Sequence, residues 1–310
     1  MMPPRAYDGT MSKIRKAVIP AAGRGVRFLP ATKATPKEML PVVDKPAIQY
    51  VVEEAVVAGI SDILMITGRN KRPLEDHFDR ATELESSLIE KNDSHKLRLV
   101  QASSELARIH YVRQGDPQGL GHAVLQAADH VGEEPFVVLL GDDLIDERDP
   151  ILPAMIKVQE QFGGSVICLM EVPADRIHLY GCAAIESKPE DGVVVVTDLV
   201  EKPSTEDAPS NLAIIGRYVL DAAVFKVLEK TPPGKGGEIQ LTDALRVLAT
   251  MPAEQGGGVR GVVFNGRRYD TGDRLSWLQS TVQLALHHPE LGEDFSQWLD
   301  DFVKSGMPDA

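Results

Sequence analysis

Several stretches of this sequence concentrate residue types suited to phosphate and metal chemistry. The first is Ala21-Ala-Gly-Arg-Gly-Val-Arg-Phe-Leu-Pro30, directly after the short apolar segment Lys16–Pro20. Glycines behind a parallel strand let backbone N–H groups approach an anion without a clashing Cβ. Gly23 and Gly25 stand there. Arg24, Arg27, Lys33 and Lys37 add four cations between residues 24 and 37 of a chain whose net charge is −13. A solvated surface loop carries such charges too; the strand-then-glycine context is what favours an anion. Two common phosphate loops are excluded. The dinucleotide fingerprint needs a third glycine where Phe28 stands, and no Gly-x4-Gly-Lys-Ser/Thr occurs.

The second stretch is Val112-Arg-Gln-Gly-Asp-Pro-Gln-Gly-Leu-Gly-His-Ala123. Gln114 offers a donor and an acceptor, which suits a pyrimidine edge. Gly119 and Gly121 would let a flat base lie against backbone. The same residues could instead form a turn capping the next helix, and His122 fits a helix start better than a catalyst. The third is Gly141-Asp142-Asp143, at the end of the apolar run Phe136–Leu140. A carboxylate there can hold Mg²⁺ or only cap a turn. The fourth is Val200-Glu-Lys-Pro203. Glu201 can accept from sugar hydroxyls, and Lys202 is a compact cation suited to a phosphate. The triplet alone has little specificity. Tyr269-Asp-Thr-Gly272 supplies a further carboxylate, Asp270.

The elements that must position these residues alternate. Strand patterns at 16–20, 62–67, 108–112 and 136–140 are separated by helical patterns at 46–58, 71–96, 121–130 and 149–162. That rhythm predicts an α/β fold with a doubly wound, mostly parallel, Rossmann-like sheet. Pro30, Pro36 and Pro41 keep the segment 21–45 out of a long helix. From residue 165 the rhythm changes. Strand patterns at 165–171, 183–186, 193–200 and 212–218 predict a smaller mixed β layer added to the first sheet. Helices return at 221–229, 238–249, 274–288 and 294–303. The expected organisation is a disordered leader over 1–12, a nucleotide-binding part over 13–164, a sugar-phosphate part over 165–272, and C-terminal helices over 273–310.

Composition narrows the function. The chain has 310 residues, 33 basic and 46 acidic, with 43% apolar and 25% charged residues. This is an ordinary globular balance. Its acidity argues against a nucleic-acid surface, which needs a basic face. Its longest apolar runs have five residues, far short of the ~20 of a membrane helix, and no secretory signal precedes Ala17. Cys168 and Cys182 read as buried, reduced thiols, which predicts the cytoplasm.

Gly-x-Gly-x-Arg-Phe-Leu-Pro followed by Pro36-Lys-Glu-Met-Leu-Pro41 resembles the signature of nucleotidyltransferases that make nucleotide sugars. Ala31 to Pro46, Ala208-Pro-Ser-Asn-Leu-Ala-Ile-Ile-Gly-Arg-Tyr218 and Gly237-Glu-Ile-Gln-Leu-Thr-Asp243 narrow the resemblance to the bacterial UTP–glucose-1-phosphate uridylyltransferases, over residues 16 to about 300. One position departs: the family usually has Thr where Val26 stands.

The resemblance implies roles. Ala21, Ala22, Gly23, Gly25 and Glu38 belong to the nucleotide site, with Gln114 and Gly119 reading uracil. Arg27, Lys37 and Lys202 are the catalytic cations. Tyr180, Gly181, Glu201 and Lys202 hold the sugar phosphate. Asp142 and Asp270 bind Mg²⁺; for Asp143 that role is weaker. The implied reaction is UTP plus α-D-glucose 1-phosphate giving UDP-glucose and pyrophosphate, by in-line attack without a covalent intermediate. A thymidylyltransferase or another sugar-1-phosphate nucleotidyltransferase is the near alternative. A non-catalytic nucleotide-sugar sensor is a different class, disfavoured by the presence of Lys202 and Asp142. In the 274–288 helix, Leu275, Leu278, Val282 and Leu286 form one apolar stripe, and Phe295, Trp298, Leu299 and Phe302 follow in the next helix. These surfaces and the resemblance predict a homodimer or homotetramer.

Overall fold

A computed structural model describes residues 14–186 and 192–306, so the expected leader lies outside the described residues. The strands are β1 (Lys16–Pro20), β2 (Pro41–Val42), β3 (Lys45–Pro46), β4 (Asp62–Thr67), β5 (Arg108–Arg113), β6 (Phe136–Leu139), β7 (Asp143–Ile145), β8 (Ser165–Glu171), β9 (Gly181–Ile185), β10 (Val193–Glu201), β11 (Leu212–Leu220), β12 (Val259–Val263) and β13 (Arg268–Asp270). The helices are α1 (Ala47–Val57), α2 (Arg72–Phe78), α3 (Thr82–Glu90), α4 (Ser94–Ser104), α5 (Leu120–Leu125), α6 (Ala128–Val131), α7 (Leu152–Phe162), α8 (Ala223–Leu228), α9 (Leu241–Thr250), α10 (Arg274–Ala285) and α11 (Gly292–Lys304).

Nine strands form one sheet in the order β5-β4-β1-β6-β11-β8-β12-β10-β9. β1 runs parallel to β4 and β6, and β4 parallel to β5. Ala17, Val18 and Ile19 are all fully buried. A strand covered on both faces needs no polar alternation. Its alternate side chains enter two different cores. Ala17 and Ile19 join one with α1, α2 and α7 residues, and Val18 joins another with α5, α8 and α9 residues. The result is a mixed α/β fold with helices on both faces of a central sheet.

The later strands lie in this same sheet. β11 inserts antiparallel between β6 and β8, with Tyr218 opposite Val138 on one side and Ile167 on the other. Fully buried along its length, β11 carries the strand pattern on to Leu220. β12, parallel to β8, is a strand the sequence pattern leaves out. Its five residues, Val-Arg-Gly-Val-Val, are short and interrupted by Gly261, whose Cβ would sit 2.3 Å from Leu169 Cδ1.

Two helical patterns break up. The expected helix over 71–96 is α2, α3 and the start of α4. Asn92 adopts a left-handed φ of 54°, and the Asp93 carboxylate caps α4 by accepting from the Lys96 N–H at 3.0 Å. The 121–130 pattern splits into α5 and α6. The 149–162 helix begins only at Leu152, with Pro in its first turn. On α10, Trp277 and Leu284 pack on the core, whereas Leu275 and Leu278 of the apolar stripe face solvent. Phe295, Trp298 and Phe302 stack along α11, with Trp298 and Phe302 exposed.

A two-stranded ribbon lies outside the nine-stranded sheet. β7 pairs antiparallel with β13, setting Asp143 opposite Asp270 and Leu144 opposite Tyr269. It joins two motifs more than 120 residues apart in the chain. Beneath it lies Arg217, fully buried on β11. Its Nε donates to Glu54 Oε1 at 3.0 Å, and its Nη2 donates to Glu54 Oε2 and to the Asp143 carbonyl, each at 2.6 Å. Among the described residues no helix is long and apolar enough to cross a membrane.

Candidate active site

The carboxyl ends of β1, β4 and β5 are where an open α/β sheet presents ligands. A cavity of about 290 Å³ lies there, lined by Ala22, Gly23, Arg24, residues 32–36, Arg69 to Lys71 and Gly115 to Pro117. Arg24, Lys33, Arg69 and Lys71 face one carboxylate, Asp116, so the cavity is cationic. Polyphosphate fits that charge. Arg69 and Lys71, on the turn after β4, are absent from the sequence motifs; their position after a parallel strand is the signal that could have found them.

The glycine loop is held by specific contacts. Thr32 Oγ1 donates to the Gly25 carbonyl at 2.6 Å. Gly25 has φ of +64°, which favours glycine. Lys37 runs beneath the loop: a Cβ on Gly23 would lie 3.7 Å from Lys37 Cε. Its ammonium pairs with Asp142. Arg27 reaches the other way and donates from Nη1 to the Gly272 carbonyl at 3.4 Å. Glu38 is 1% exposed and accepts from Lys71 Nζ at 2.7 Å. It is not among the cavity-lining residues, so it meets the cavity through Lys71.

Gln114 is buried on the turn after β5. Its Nε2 donates to the Gly119 carbonyl at 3.2 Å and lies 2.8 Å from His122 Nδ1. His122 also meets Gln126, which fits the helix-start role. Gly119 has φ of +110°, and a Cβ there would lie 2.7 Å from the Ile239 carbonyl oxygen. The Gly237–Asp243 motif thus seats directly on this loop: Ile239 N–H donates to the Gln118 carbonyl at 2.7 Å, and Gly121 N–H to the Ile239 carbonyl at 2.8 Å.

The two candidate metal carboxylates converge. A Cβ built on Gly272 would lie 2.8 Å from Asp142 Oδ2 and 3.1 Å from Asp270 Oδ1. Thr271 N–H donates to the Asp142 carbonyl at 2.8 Å and Gly272 N–H to Asp270 Oδ1 at 2.9 Å, locking the turn. Burial opposes ionisation of Asp142, but the Lys37 ammonium outweighs it and holds the carboxyl below its usual range. Asp270 is pushed up by burial, with Asp143 and Asp142 adding repulsion against the pull of Arg268. Two oxygen ligands around a gap, one already drawing a cation, fit a hard divalent ion such as Mg²⁺. Asp143 is otherwise occupied: it accepts from Arg268 Nε at 2.7 Å, Arg268 Nη2 at 3.1 Å and the Gly216 N–H at 2.7 Å.

The residues expected to hold the sugar phosphate gather at the ends of β9 and β10. Glu201 Oε2 accepts from Thr242 Oγ1 at 2.6 Å, and Gly181 packs so closely that a Cβ would lie 3.2 Å from that oxygen. Lys202 Nζ lies 3.3 Å from Glu201 Oε1. Lys202 adopts a left-handed φ of 47°; its N–H donates to the Tyr180 carbonyl at 3.0 Å, and its carbonyl accepts from Lys235. Arg268 lies over the Tyr180 ring at 5.4 Å while gripping Asp143, so one guanidinium links Tyr180 to the start of β7. The sequence motifs omit Arg268, although it stands two residues before Asp270.

Comparison with known proteins fits this geometry. The nucleotidyl transferase family model matches residues 16–285. A UTP–glucose-1-phosphate uridylyltransferase of Bacillus subtilis (strain 168), YngB, is 50% identical over 293 residues, 94% of this chain and 96% of that protein. A UDP-glucose pyrophosphorylase solved with UDP-glucose is 42% identical with a TM-score of 0.79, covering 89% of this chain and 100% of that one. A UTP-bound UGPase from Acinetobacter baumannii is 40% identical with a TM-score of 0.83, covering 92% and 98%.

Proposed function

The chain belongs to the nucleotidyl transferase family, and from that premise we propose that it transfers UMP from UTP to α-D-glucose 1-phosphate, giving UDP-glucose and pyrophosphate. The observation that carries this reading is the 50% identity to a UTP–glucose-1-phosphate uridylyltransferase across nearly the whole of both chains. A cationic cavity beside a paired-carboxylate turn supports it.

The sugar phosphate is already an anion near neutral pH, because a phosphate monoester has its second pKa near ~6. Its oxygen attacks the α-phosphorus of UTP. A new P–O bond forms, the bond to the β-phosphoryl bridging oxygen breaks, and pyrophosphate leaves in line. No general base is required. The barrier is repulsion between anions and charge growing on the leaving group, so catalysis is positioning and neutralisation. Lys202 holds the attacking phosphate, with Glu201, Tyr180 and Gly181 on the sugar. Arg24, Arg27, Lys33, Lys37 and Lys71 steady the triphosphate, with Glu38 fixing Lys71 and the amides of Ala21 to Gly25 lining the loop. Gln114 and Gly119 face the base. Asp142 and Asp270 would hold Mg²⁺, which when bound supplies positive charge against the phosphoryl oxygens.

In this reading β1, β4, β5 and β6 form the doubly wound, Rossmann-like nucleotide part, residues 13–164, and residues 165–272 build the sugar side. The α11 stack of Phe295 with the exposed Trp298 and Phe302 supports a homodimer or homotetramer through the C-terminal helices. Cys168 and Cys182, both buried and free, suit a reducing compartment, and we place the enzyme in the cytoplasm.

Pyrophosphate release over a grid of nucleoside triphosphates and sugar 1-phosphates tests the reading. UTP with glucose 1-phosphate should give the highest kcat/KM. Preference for dTTP would move the chain to the thymidylyltransferases, and no turnover with any pair would refute catalysis.

A further inference from the structure

At the amino-terminal end of β4, away from the carboxyl-end cavity, three potential metal ligands meet. Among the described residues, Asp62, His110 and His130 are the one group of three His, Cys, Asp or Glu side chains whose ligand atoms all lie within 4.8 Å of one another. Asp62 opens β4, His110 stands mid-way along the edge strand β5, and His130 is on α6. The topology brings them together. β4 and β5 run in parallel register with Asp62 beside Arg108 and Leu64 beside His110. Alternation along a strand therefore puts Asp62 and His110 on the same face. That is the face of Leu64, which shares a core with Val131, the neighbour of His130.

The partners of Asp62 are unusual for an aspartate flanked by cations. Lys16 and Arg108 sit beside it in register on the two neighbouring strands. Neither forms an ion pair with it. Lys16 instead donates to the Val131 carbonyl at 3.0 Å and meets Glu134 at 3.1 Å. The Asp62 Oδ1 atom faces two imidazoles, His130 Nε2 at 2.9 Å and His110 Nε2 at 3.7 Å. The two rings lie 4.9 Å apart at 51°, so they are not stacked.

We propose that Asp62, His110 and His130 form a second, peripheral site for a borderline divalent ion of the Zn²⁺ class, distinct from the Asp142–Asp270 pair. In a tetrahedral site with bonds of about 2.05 Å, neighbouring ligand atoms lie about 3.3 Å apart. The separations from Asp62 Oδ1 straddle that value, so small side-chain rotations suffice. Two nitrogens and one carboxylate oxygen select Zn²⁺, Co²⁺ or Ni²⁺ over Mg²⁺, which prefers oxygens throughout. The exposed His110 leaves an entry path and room for water as the fourth ligand. The site lies about 16 Å along β4 from its Thr67 end, five residues at ~3.3 Å each. Its ion would tie the edge strand β5 to β4 and α6 and take no part in phosphoryl chemistry.

The test uses the untagged full-length chain in excess Mg²⁺, titrated with Co²⁺ and followed by calorimetry and visible absorption. The expected result is one Co²⁺ per chain with a nitrogen-ligand spectrum. His110→Gln should weaken binding by at least the ~10–100-fold that even outer-shell changes cause at metal sites. Because His110 is exposed, this variant should fold normally, which circular dichroism checks. Asp142→Asn should leave Co²⁺ binding unchanged, and Zn²⁺ should raise the melting temperature of the parent chain but not of His110→Gln. Absent binding, or binding lost in Asp142→Asn and kept in His110→Gln, overturns the proposal.

Discussion

The support of the Asp142 turn can be tested away from any substrate. Arg217 is fully buried, and among the described residues Glu54 is its one anionic partner within ion-pair reach. Glu54→Met keeps the volume and removes the charge. The guanidinium would then be left with only the Leu140, Gly216 and Asp143 carbonyls. Breaking a buried ion pair on one side costs about 3–5 kcal/mol, because the remaining charge stays uncompensated. For 310 residues, an unfolding entropy of about 2.1 cal/mol/K per residue gives roughly 0.65 kcal/mol/K, so melting should fall by roughly 5–8 °C. Scanning calorimetry measures this. Glu54→Met/Arg217→Met removes both charges and should melt no lower than the single variant, since an apolar replacement for a buried pair is often neutral or better. The Asp143 carbonyl loses a donor only in the double variant, so its turnover should fall further even where its stability recovers. A single variant melting within about 1 °C of the parent, or a double variant showing the summed cost of both single changes, would refute the reasoning.

Asp142→Asn should lower turnover with Mg²⁺ by about 100-fold or more while the fold is kept; near-normal activity in the pyrophosphate assay would remove Asp142 from the metal site. Lys202→Ala should raise the KM for glucose 1-phosphate far more than that for UTP, and Gln114→Ala should instead relax discrimination among bases; calorimetry giving the opposite pattern would reverse the two assignments. Asp146 is held below the ordinary carboxylate range by Arg148, which outweighs burial, and by the Tyr269 hydroxyl donating at 2.7 Å. A depressed folded pKa stabilises fully above the unfolded value of about 3.9, and that contribution is lost progressively as pH falls from there through the lower folded pKa. Melting between about pH 5 and 3 should therefore drop more steeply in the parent than in Asp146→Asn, and parallel curves would contradict this. Trp298→Glu combined with Phe302→Glu should shrink the particle seen by light scattering if the α11 stack is a subunit contact, and an unchanged size would exclude it.

The sequence by itself determined what local pattern controls. Apolar runs unbroken by polar residues marked β1, β4, β6 and β8 because strands buried on both faces leave no polar alternation. Gly23, Gly25 and Gly119 were legible from their place in turns after parallel strands; Gly25 and Gly119 adopt positive φ and lie where a side chain would be crowded, whereas a Cβ on Gly23 would only touch Lys37. The candidate roles of Asp142, Lys202 and Glu201 were read from residue type within motifs and from the family resemblance. Tertiary structure alone decided the rest. No local signal says that β11 enters the sheet antiparallel between β6 and β8, because its neighbours are chosen by the two cores it completes. Nor does spacing say that Trp277 and Leu284, rather than Leu275 and Leu278, pack inward; the path of the chain from β13 into α10 fixes that rotation. The division of labour between Asp142 and Asp143 is the clearest case. The two residues are adjacent and identical in type. Only the pairing of β7 with β13 gives Asp143 to Arg268 and the Gly216 amide, while Asp142, in the turn just before β7, is left to pair with Lys37 and to lie beside Gly272.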